Sequence, residues 1–436
     1  MKEKKGPLTV LWPQFTARKE KAVLIGLHLP GKERREIEDS LEELRQLALT
    51  AGAGVEHIEI TRKDKPNPKY YIGQGKAEEL ARVCQTKSYD LVIFDDDLVP
   101  AQVKNLQELL QVKVLDRTEL ILDIFAIHAR SREGKIQVEL AQLQYMLPRL
   151  AHAWTHLSRQ WGGMGTRGPG ERQLELDRRR VRLQITRLSG ELRRVHGHRH
   201  LQRKRRERIG LPLVAVIGYT NAGKTTLFNK ITKTSLLVAD KLFTTLDAKL
   251  QRLVLPNRQT VLFSDTVGFI KKLPHHLVES FKATLEEVYE ADLLLHVIDG
   301  SSHNTRERYE VVIGLLKEMN VWDKPIITAV NKQDLIDNNP KGFNYLLRTV
   351  PDSIAVSARD GAGIKGLISM IEAELNKLRR KITLFIPAGE MGVVSRIYNS
   401  GNIIKAEYTG AGVNLMVELP PANMGEFKKW IKDELV

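Results

Sequence analysis

Two kinds of apolar patterning alternate along the chain, and the points where they change divide it. Up to about residue 133, short apolar runs are separated by amphipathic stretches. Ala22–Leu29, Val55–Ile60 and Asp90–Phe94 predict strands, whereas Glu33–Leu49, Lys76–Gln85 and Ala101–Leu110 predict helices. That alternation predicts a small α/β domain over residues 1–133 with a largely parallel sheet. From Ile136 the apolar positions step by four and three through Leu140, Leu143, Leu147 and Leu150. They do so again through Val181, Ile185, Leu188, Leu192 and Val195, with Leu174 one heptad before Val181. Between the two runs, Trp161–Gly170 holds five glycines and a proline, which a helix cannot cross. Residues 134–209 therefore read as two long antiparallel helices, the first open to a kink at Pro148, with a basic glycine-rich loop near the turn. Buried-strand patterns return at Pro212–Ile217, Val261–Phe263, Leu293–Ile298 and Ile326–Val330, separated by helical segments. They predict a doubly wound α/β domain over 210–380. Strand-like Ile382–Ile386, Asn402–Tyr408 and Val413–Leu419, with a terminal helix near Met424–Leu435, predict a small α+β domain over 381–436.

Composition narrows the classes. The 436 residues suit roughly three domains at about 150 each, and 42% hydrophobic content excludes a disordered chain. No apolar stretch approaches the ~20 residues that span a bilayer, and Leu293–Ile298 is interrupted by His296, so no membrane span is expected. The basic start, Met1–Gln14, is broken by Pro13 and too short for a signal peptide. One cysteine, Cys84, cannot form an internal disulfide and fits a reducing cytosol, so the expectation is a cytoplasmic protein, and a monomer. The net charge of +15 is concentrated: Glu171–Ile209 carries 14 Lys/Arg against 5 Asp/Glu. Such clustering is the footprint of a polyanion binder, or else a solvated helix face. With 6% aromatics and no RNP-type motif, base stacking is not the expected mode of recognition.

The candidate chemistry lies in the third segment. Gly218–Thr225 (Gly218, Tyr219, Thr220, Asn221, Ala222, Gly223, Lys224, Thr225) matches G-x-x-x-x-G-K-[ST] after a strand and before a helix. Its amides can cradle phosphate oxygens at a helix N-terminus. Lys224 is expected to reach the β- and γ-phosphates, and the Thr225 hydroxyl to ligate Mg²⁺. Asn331, Lys332, Gln333 and Asp334 read NKQD after a strand. The Asp334 carboxylate can accept from both the ring N–H and the exocyclic amine of guanine, a donor pair that adenine lacks. The substrate so implied is GTP. Ser357, Ala358 and Arg359 follow another short strand, where the Ala358 N–H is expected to face the guanine O6. Asp265, Thr266, Val267 and Gly268 read DTVG, with Asp265 placed to hold Mg²⁺ through water and the Gly268 N–H to sense the γ-phosphate. Phe243, Thr244, Thr245, Leu246 and Asp247 lie where a mobile switch belongs. Thr245, with Thr244 as second choice, is expected to contact metal and γ-phosphate.

Other positions qualify this reading. A glutamine that orients water would follow DTVG, but Phe269 stands there, so turnover is expected to be slow, ~10⁻⁴ to 10⁻² per second, until a partner completes the site. Asn221 either holds K⁺ beside the phosphates or merely suits the loop. Gly73–Lys76 (GQGK) reads as a second nucleotide site or as a glycine turn capping a helix. His152 and His156, four apart, are read as packing or RNA-facing rather than metal ligands. His196, His198 and His200 are read as solvated, and Asp95–Asp97 as a strand-end turn rather than a Mg²⁺ site.

Together with YYIGQGK (Tyr70–Lys76), VLDRTELILDIFAIHARSREGKIQVELAQLQY (Val114–Tyr145), GTRGPGE (Gly165–Glu171), GYTNAGKTTLFN (Gly218–Asn229) and FTTLDA (Phe243–Ala248), these residues resemble the HflX family of translation-factor-class GTPases. The likeness runs to about residue 380, and the family is similar in carrying a hydrophobic residue after DTVG. The resemblance implies binding to the large ribosomal subunit and its rRNA, GTP hydrolysis stimulated there, and splitting or rescue of stalled ribosomes. It maps the loop that projects into the ribosomal active centre onto Trp161–Gly170. Arg172 stands where such proteins usually carry threonine, Trp161 where they carry glycine, and Thr225 where serine is common. The alternatives left open are an RNA-binding or RNA-remodelling protein whose affinity GTP regulates, and a GTPase acting on a protein or membrane partner.

Overall fold

The computed structural model describes residues 19–153, 169–209, 211–235, 242–243, 249–257, 259–272, 286–377, 380–419 and 421–435. It divides into two compact units. The first comprises the described residues of 1–194 together with those of 239–247 and 270–282; the second comprises those of 195–238, 248–269 and 283–436. The chain is a multidomain α/β protein, as its patterning predicts.

In the first unit, β1 (Lys21–His28), β2 (Gly54–Arg62), β3 (Leu91–Phe94) and β4 (Lys113–Asp116) form a parallel sheet in the order β2-β1-β3-β4. Val23, Ile25 and Leu27 of β1, with Val92, Phe94 and Val114, pack on one face against α2 (Gln74–Lys87) and α3 (Pro100–Leu110). α1 (Arg34–Ala51) comes close to the other face because Gly26 has no side chain: a Cβ there would lie 2.7 Å from Leu41 Cδ1. β4 and α4 (Arg117–His128) went unread in the sequence. α4 is buried along its whole first two turns, Arg117 to Phe125, so no amphipathic period marks it; Asp116 caps it by accepting from the Glu119 amide at 2.9 Å.

α5 (Arg132–Ala153) and α6 (Pro169–Ile209) carry the two heptad runs. Gln184 Nε2 donates to Glu139 Oε1 at 2.5 Å, and Arg132 pairs with Glu191 at 3.8 Å. The contacts pair rising with falling residue numbers, so the helices run antiparallel, with Ile136, Leu140, Leu143, Val181 and Leu188 buried. α6 begins at Pro169, inside the segment read as loop; proline suits a first helical position because its missing N–H would have no partner there. The rest of that loop, and His156, lie outside the described residues.

The second unit holds a six-stranded sheet of β5 (Leu213–Gly218), β6 (Lys249–Val254), β7 (Thr260–Asp265), β8 (Leu293–Asp299), β9 (Ile326–Asn331) and β10 (Ser353–Ala355). Its order is β10-β9-β8-β5-β7-β6, parallel except for the edge pair β6–β7. β6 is largely exposed and has no apolar alternation, which hid it from the sequence reading. β5 is buried at every position, and its apolar side chains pack with those of β8, α7 (Lys224–Thr232) and α11 (Ile364–Lys377).

The last segment runs β11 (Arg380–Pro387), α12 (Gly392–Ser400), β12 (Asn402–Thr409), β13 (Gly412–Leu419), α13 (Pro421–Phe427) and β14 (Ile431–Leu435). Its antiparallel order, β12-β13-β11-β14, is the ferredoxin-like split βαβ arrangement. The terminal helix expected near Met424–Leu435 is corrected here: α13 ends at Phe427, and Ile431–Leu435 pairs with Lys381–Leu384 as the fourth strand. Sheet pairing outweighs the helix-forming bias of Lys-Asp-Glu-Leu. Among the described residues no helix is long and apolar enough to cross a membrane.

Candidate functional site

In a doubly wound sheet, ligands meet the carboxyl ends of the strands. The strand at the middle of this sheet, β5, ends in Gly218, and the loop to Gly223 leads directly into α7. Gly218 has φ 147, and a Cβ on it would lie 2.2 Å from the Val297 carbonyl oxygen; Gly223 has φ 89, with a Cβ 2.3 Å from Asn331 Nδ2. Neither position admits another residue without moving backbone or the base-side loop. Asn221 adopts φ 59, a left-handed conformation that asparagine tolerates, so the loop's geometry alone accounts for it.

Lys224, the first residue of α7, is buried, and its Nζ donates to the Tyr219 carbonyl at 2.7 Å. Burial drives its pKa down to about 8, against the smaller upward pull of Asp265. The Thr225 hydroxyl donates to Asp265 Oδ2 at 2.8 Å. A hydroxyl and a carboxylate side by side at a phosphate-type loop are the hard oxygen donors that suit Mg²⁺. Thr266 turns the other way and donates to the Val216 carbonyl at 2.6 Å, holding the end of β7 to β5. Gly268 lies on the loop itself: a Cβ there would be 2.7 Å from Thr220 Cγ2 and 2.9 Å from Lys224 Nζ. Phe269 is buried, and its backbone is pinned by Thr220 N–H donating to its carbonyl at 2.8 Å and its own N–H donating to the Gly218 carbonyl at 3.0 Å.

Asn331 joins the phosphate side to the base side. Its Nδ2 donates to the Ala222 carbonyl at 2.9 Å, and its Oδ1 accepts from the Ala358 amide at 2.9 Å. The Ala358 N–H, expected to face guanine O6, is thus spent on Asn331. Lys332, at φ 64, reaches back to pair with Asp299 Oδ2 at 2.7 Å, and Gln333 N–H donates to the Val356 carbonyl at 3.1 Å. Asp334 is exposed, and its Oδ1 accepts from Ser357 Oγ at 2.7 Å. The Arg359 carbonyl accepts from Lys230 Nζ at 3.3 Å. The structure therefore brings Gly218–Thr225, Asp265–Gly268, Asn331–Asp334 and Ser357–Arg359 into one unit.

The remaining segment behaves differently. Thr244, Thr245, Leu246 and Asp247 lie outside the described residues. Phe243 belongs to the first unit, where its ring stands edge-on to Phe125 at 4.7 Å, and the Leu242 amide donates to Thr50 Oγ1 at 3.3 Å. Sequence reasoning also missed His296, buried in β8. Burial and, in the same direction, Lys224 push its pKa down to about 3, so it stays neutral beneath the lysine. A histidine inside an apolar strand was the available signal. Among the weaker candidates, Gly73 takes φ 91 just before α2, and Lys76 is committed to Glu59 and Glu79, each at 3.0 Å, which favours the helix-capping reading. No group of three His, Cys, Asp or Glu suited to a metal occurs among the described residues.

Three family descriptions match consecutive parts of the chain: a GTP-binding GTPase N-terminal region over residues 38–126, a GTP-binding GTPase middle region over 128–206, and a 50S ribosome-binding GTPase over 213–332. The protein named GTPase HflX from Caldanaerobacter subterraneus subsp. tengcongensis is 44% identical over 417 residues, covering 94% of this chain and 95% of its own. GTPase HflX of Escherichia coli K12 is 41% identical over 402 residues, covering 92% and 94%. The GDP complex of SsGBP covers 82% of this chain and 99% of its own at 26% identity, with a TM-score of 0.48.

Proposed function

Because the chain belongs to the HflX family of GTPases, we propose that it is a Mg²⁺-dependent GTP-hydrolysing switch that binds the large ribosomal subunit and splits or rescues stalled ribosomes. One observation carries the nucleotide part: a single asparagine, Asn331, ties the phosphate loop at Ala222 to the base-side loop at Ala358. A ligand that spans both loops needs a polyphosphate at one end and a purine at the other. The amides of the Gly218–Thr225 loop and the Lys224 ammonium hold the phosphates, and Asp334, steadied by Ser357, reads the guanine edge. Thr225 and, through water, Asp265 would hold Mg²⁺, with Thr245 as a further ligand, and the ion would neutralise charge on the phosphates. The Gly268 amide senses the γ-phosphate. Phe269 offers no donor or acceptor to a water, so intrinsic turnover is slow and the ribosomal partner supplies what is missing. Asn221 suits the loop's geometry; a faster rate in K⁺ than in Na⁺ would give it a cation-holding role as well.

The ribosomal part rests on the match to the 50S ribosome-binding GTPase family, on the relatives and on the positive charge of α6, whose Arg178, Arg179, Arg182, Arg187, Arg193 and Arg194 suit rRNA phosphates. GTP hydrolysis measured with and without purified large subunits tests it, with the segment Trp161–Gly170 intact and deleted. A hundredfold stimulation that the deletion abolishes supports the reading. Salt-sensitive binding to rRNA without stimulation would instead favour an RNA-binding protein that GTP regulates.

A further inference from the structure

Along the carboxyl end of the six-stranded sheet, the phosphate loop follows β5, whereas Asp334 and Ser357 follow β9 and β10 on the base side. Between them lies the end of β8, where Asp299 stands level with Asn331 of β9. All of these residues belong to the second unit. The Asp299 carboxylate is fixed by its own loop: Oδ1 accepts from the Ser301 amide at 3.0 Å and from Ser301 Oγ at 2.6 Å. The backbone around it is held as well. Gly300 N–H donates to the Asn331 carbonyl at 2.9 Å, and Thr305 Oγ1 donates to the Asp299 carbonyl at 3.1 Å. Oδ2 accepts from Lys332 Nζ at 2.7 Å, and the lysine side chain stays 26% exposed. Lys332 leaves the end of β9 from a left-handed conformation, φ 64, and its stem runs back to the end of β8.

A nucleotide whose phosphates meet the loop after β5 and whose base meets Asp334 has to cross the ends of β8 and β9, where the Lys332 stem lies. From this arrangement we infer that Asp299 is a positioning residue for the base: it draws the Lys332 ammonium toward β8 and so lays the lysine's methylene stem out as an apolar platform for the purine ring. The inference rests on the guanine-nucleotide reading above. A lysine stem covers an apolar surface when its charged end has a polar place to go, and the Asp299 carboxylate supplies that place. An unrestrained lysine has rotamer freedom that binding would have to remove. The ion pair removes it beforehand, because Ser301 holds the carboxylate whether or not nucleotide is present. The platform meets a ring face, whereas Asp334 meets the ring edge. Asp299 therefore acts on affinity for a purine nucleotide without acting on the choice among purines that accept the same stacking.

The test is calorimetric binding of GDP and of inosine diphosphate, each with Mg²⁺, to the full chain. Asp299→Asn keeps an acceptor for Ser301 and replaces the oxygen that holds Lys332 with an amide nitrogen. Lys332→Met keeps an apolar stem and removes the charge that Asp299 holds. The expected result is that Asp299→Asn weakens both diphosphates by roughly tenfold, with their ratio constant within about twofold. Lys332→Met should weaken GDP to a similar degree, and adding Asp299→Asn to it should cause no further loss, because no ammonium remains to be positioned. A merely structural role for Asp299 would add its own loss in the double variant. An unchanged GDP affinity in Asp299→Asn, a changed ratio of the two diphosphates, or a second full loss on top of Lys332→Met overturns the inference. A parent chain that does not bind GDP would instead sink the guanine-nucleotide reading itself.

Discussion

Two regions of the chain are held in different ways. The cradle formed by Gly218–Thr225, Asn331–Asp334 and Ser357–Ala358 lies within one unit, and its parts hold one another: Asn331 bonds both loops, Ser357 bonds Asp334, Lys332 bonds Asp299. Leu242–Phe243 and Ile270–Lys272 belong to the other unit and are held there by partners remote in sequence: Thr50, Phe125, Asp95 and Asp96. A cradle fixed from within holds the base and the β-phosphate that GDP and GTP share, and only its Lys224 also reaches the γ-phosphate. Substitutions in the part of the cradle that meets the base and the β-phosphate should therefore move both nucleotides together.

The largest effect is expected at Asp334. Asp334→Ala leaves two donors of the guanine edge without their acceptor, each costing about 1–3 kcal/mol. The preference for GTP over ATP should fall by roughly a thousandfold, read by competition binding, while the GTP-to-GDP ratio stays put. Undiminished guanine preference would place base recognition elsewhere.

Lys224→Ala comes next. It removes the ammonium from the phosphates and should weaken both GDP and GTP, on the order of a hundredfold by calorimetry. The buried, desolvated lysine is not a stabilising feature of the fold, so the melting temperature should not fall with the affinity. A parallel drop in both would mean that the residue holds the loop together rather than binding phosphate.

How much of this was legible in the sequence follows the same division. The cradle could be read because its chemistry is local: glycines, lysine and threonine at fixed spacing after a buried strand, and NKQD after another. The anchors could not. Lys272 and Asp95 are 177 residues apart, and nothing at either position distinguishes a tethered lysine from a solvated one. Asp95–Asp97 was readable as a strand-end turn, but not as a receptor. The same limit explains the fold's misses. α4 is buried all round and has no period; β6 is exposed on a sheet edge; Ile431–Leu435 becomes a strand because β11 presents an edge to it. Ala358 was read as a donor to the base because the sequence does not reveal that Asn331 competes for its amide.

The pH dependence of binding sharpens the same comparison. Burial holds Lys224 at about 8 in the structure, and phosphates beside it must raise that value, so binding takes up a proton wherever the free lysine has lost it. Affinity for either nucleotide should be level below pH 8 and should fall above it, approaching about tenfold per pH unit. Lys224→Arg, with a group that does not titrate in this range, should flatten the profile even if it weakens binding. A profile that falls for GTP but not for GDP would move the titration away from Lys224.

The smallest effect is expected at a cradle contact. Ser357→Ala removes the 2.7 Å hydrogen bond to Asp334 Oδ1 and also the acceptor of the Asp360 amide at 3.1 Å. Asp334 is exposed, so water can replace the lost donor, and the cost is confined to about 1 kcal/mol for a carboxylate held less firmly. GDP and GTP should both weaken by about fivefold, in equilibrium binding at pH 7, with their ratio unchanged. If Ser357→Ala shifted the ratio, the cradle would itself have to rearrange with nucleotide.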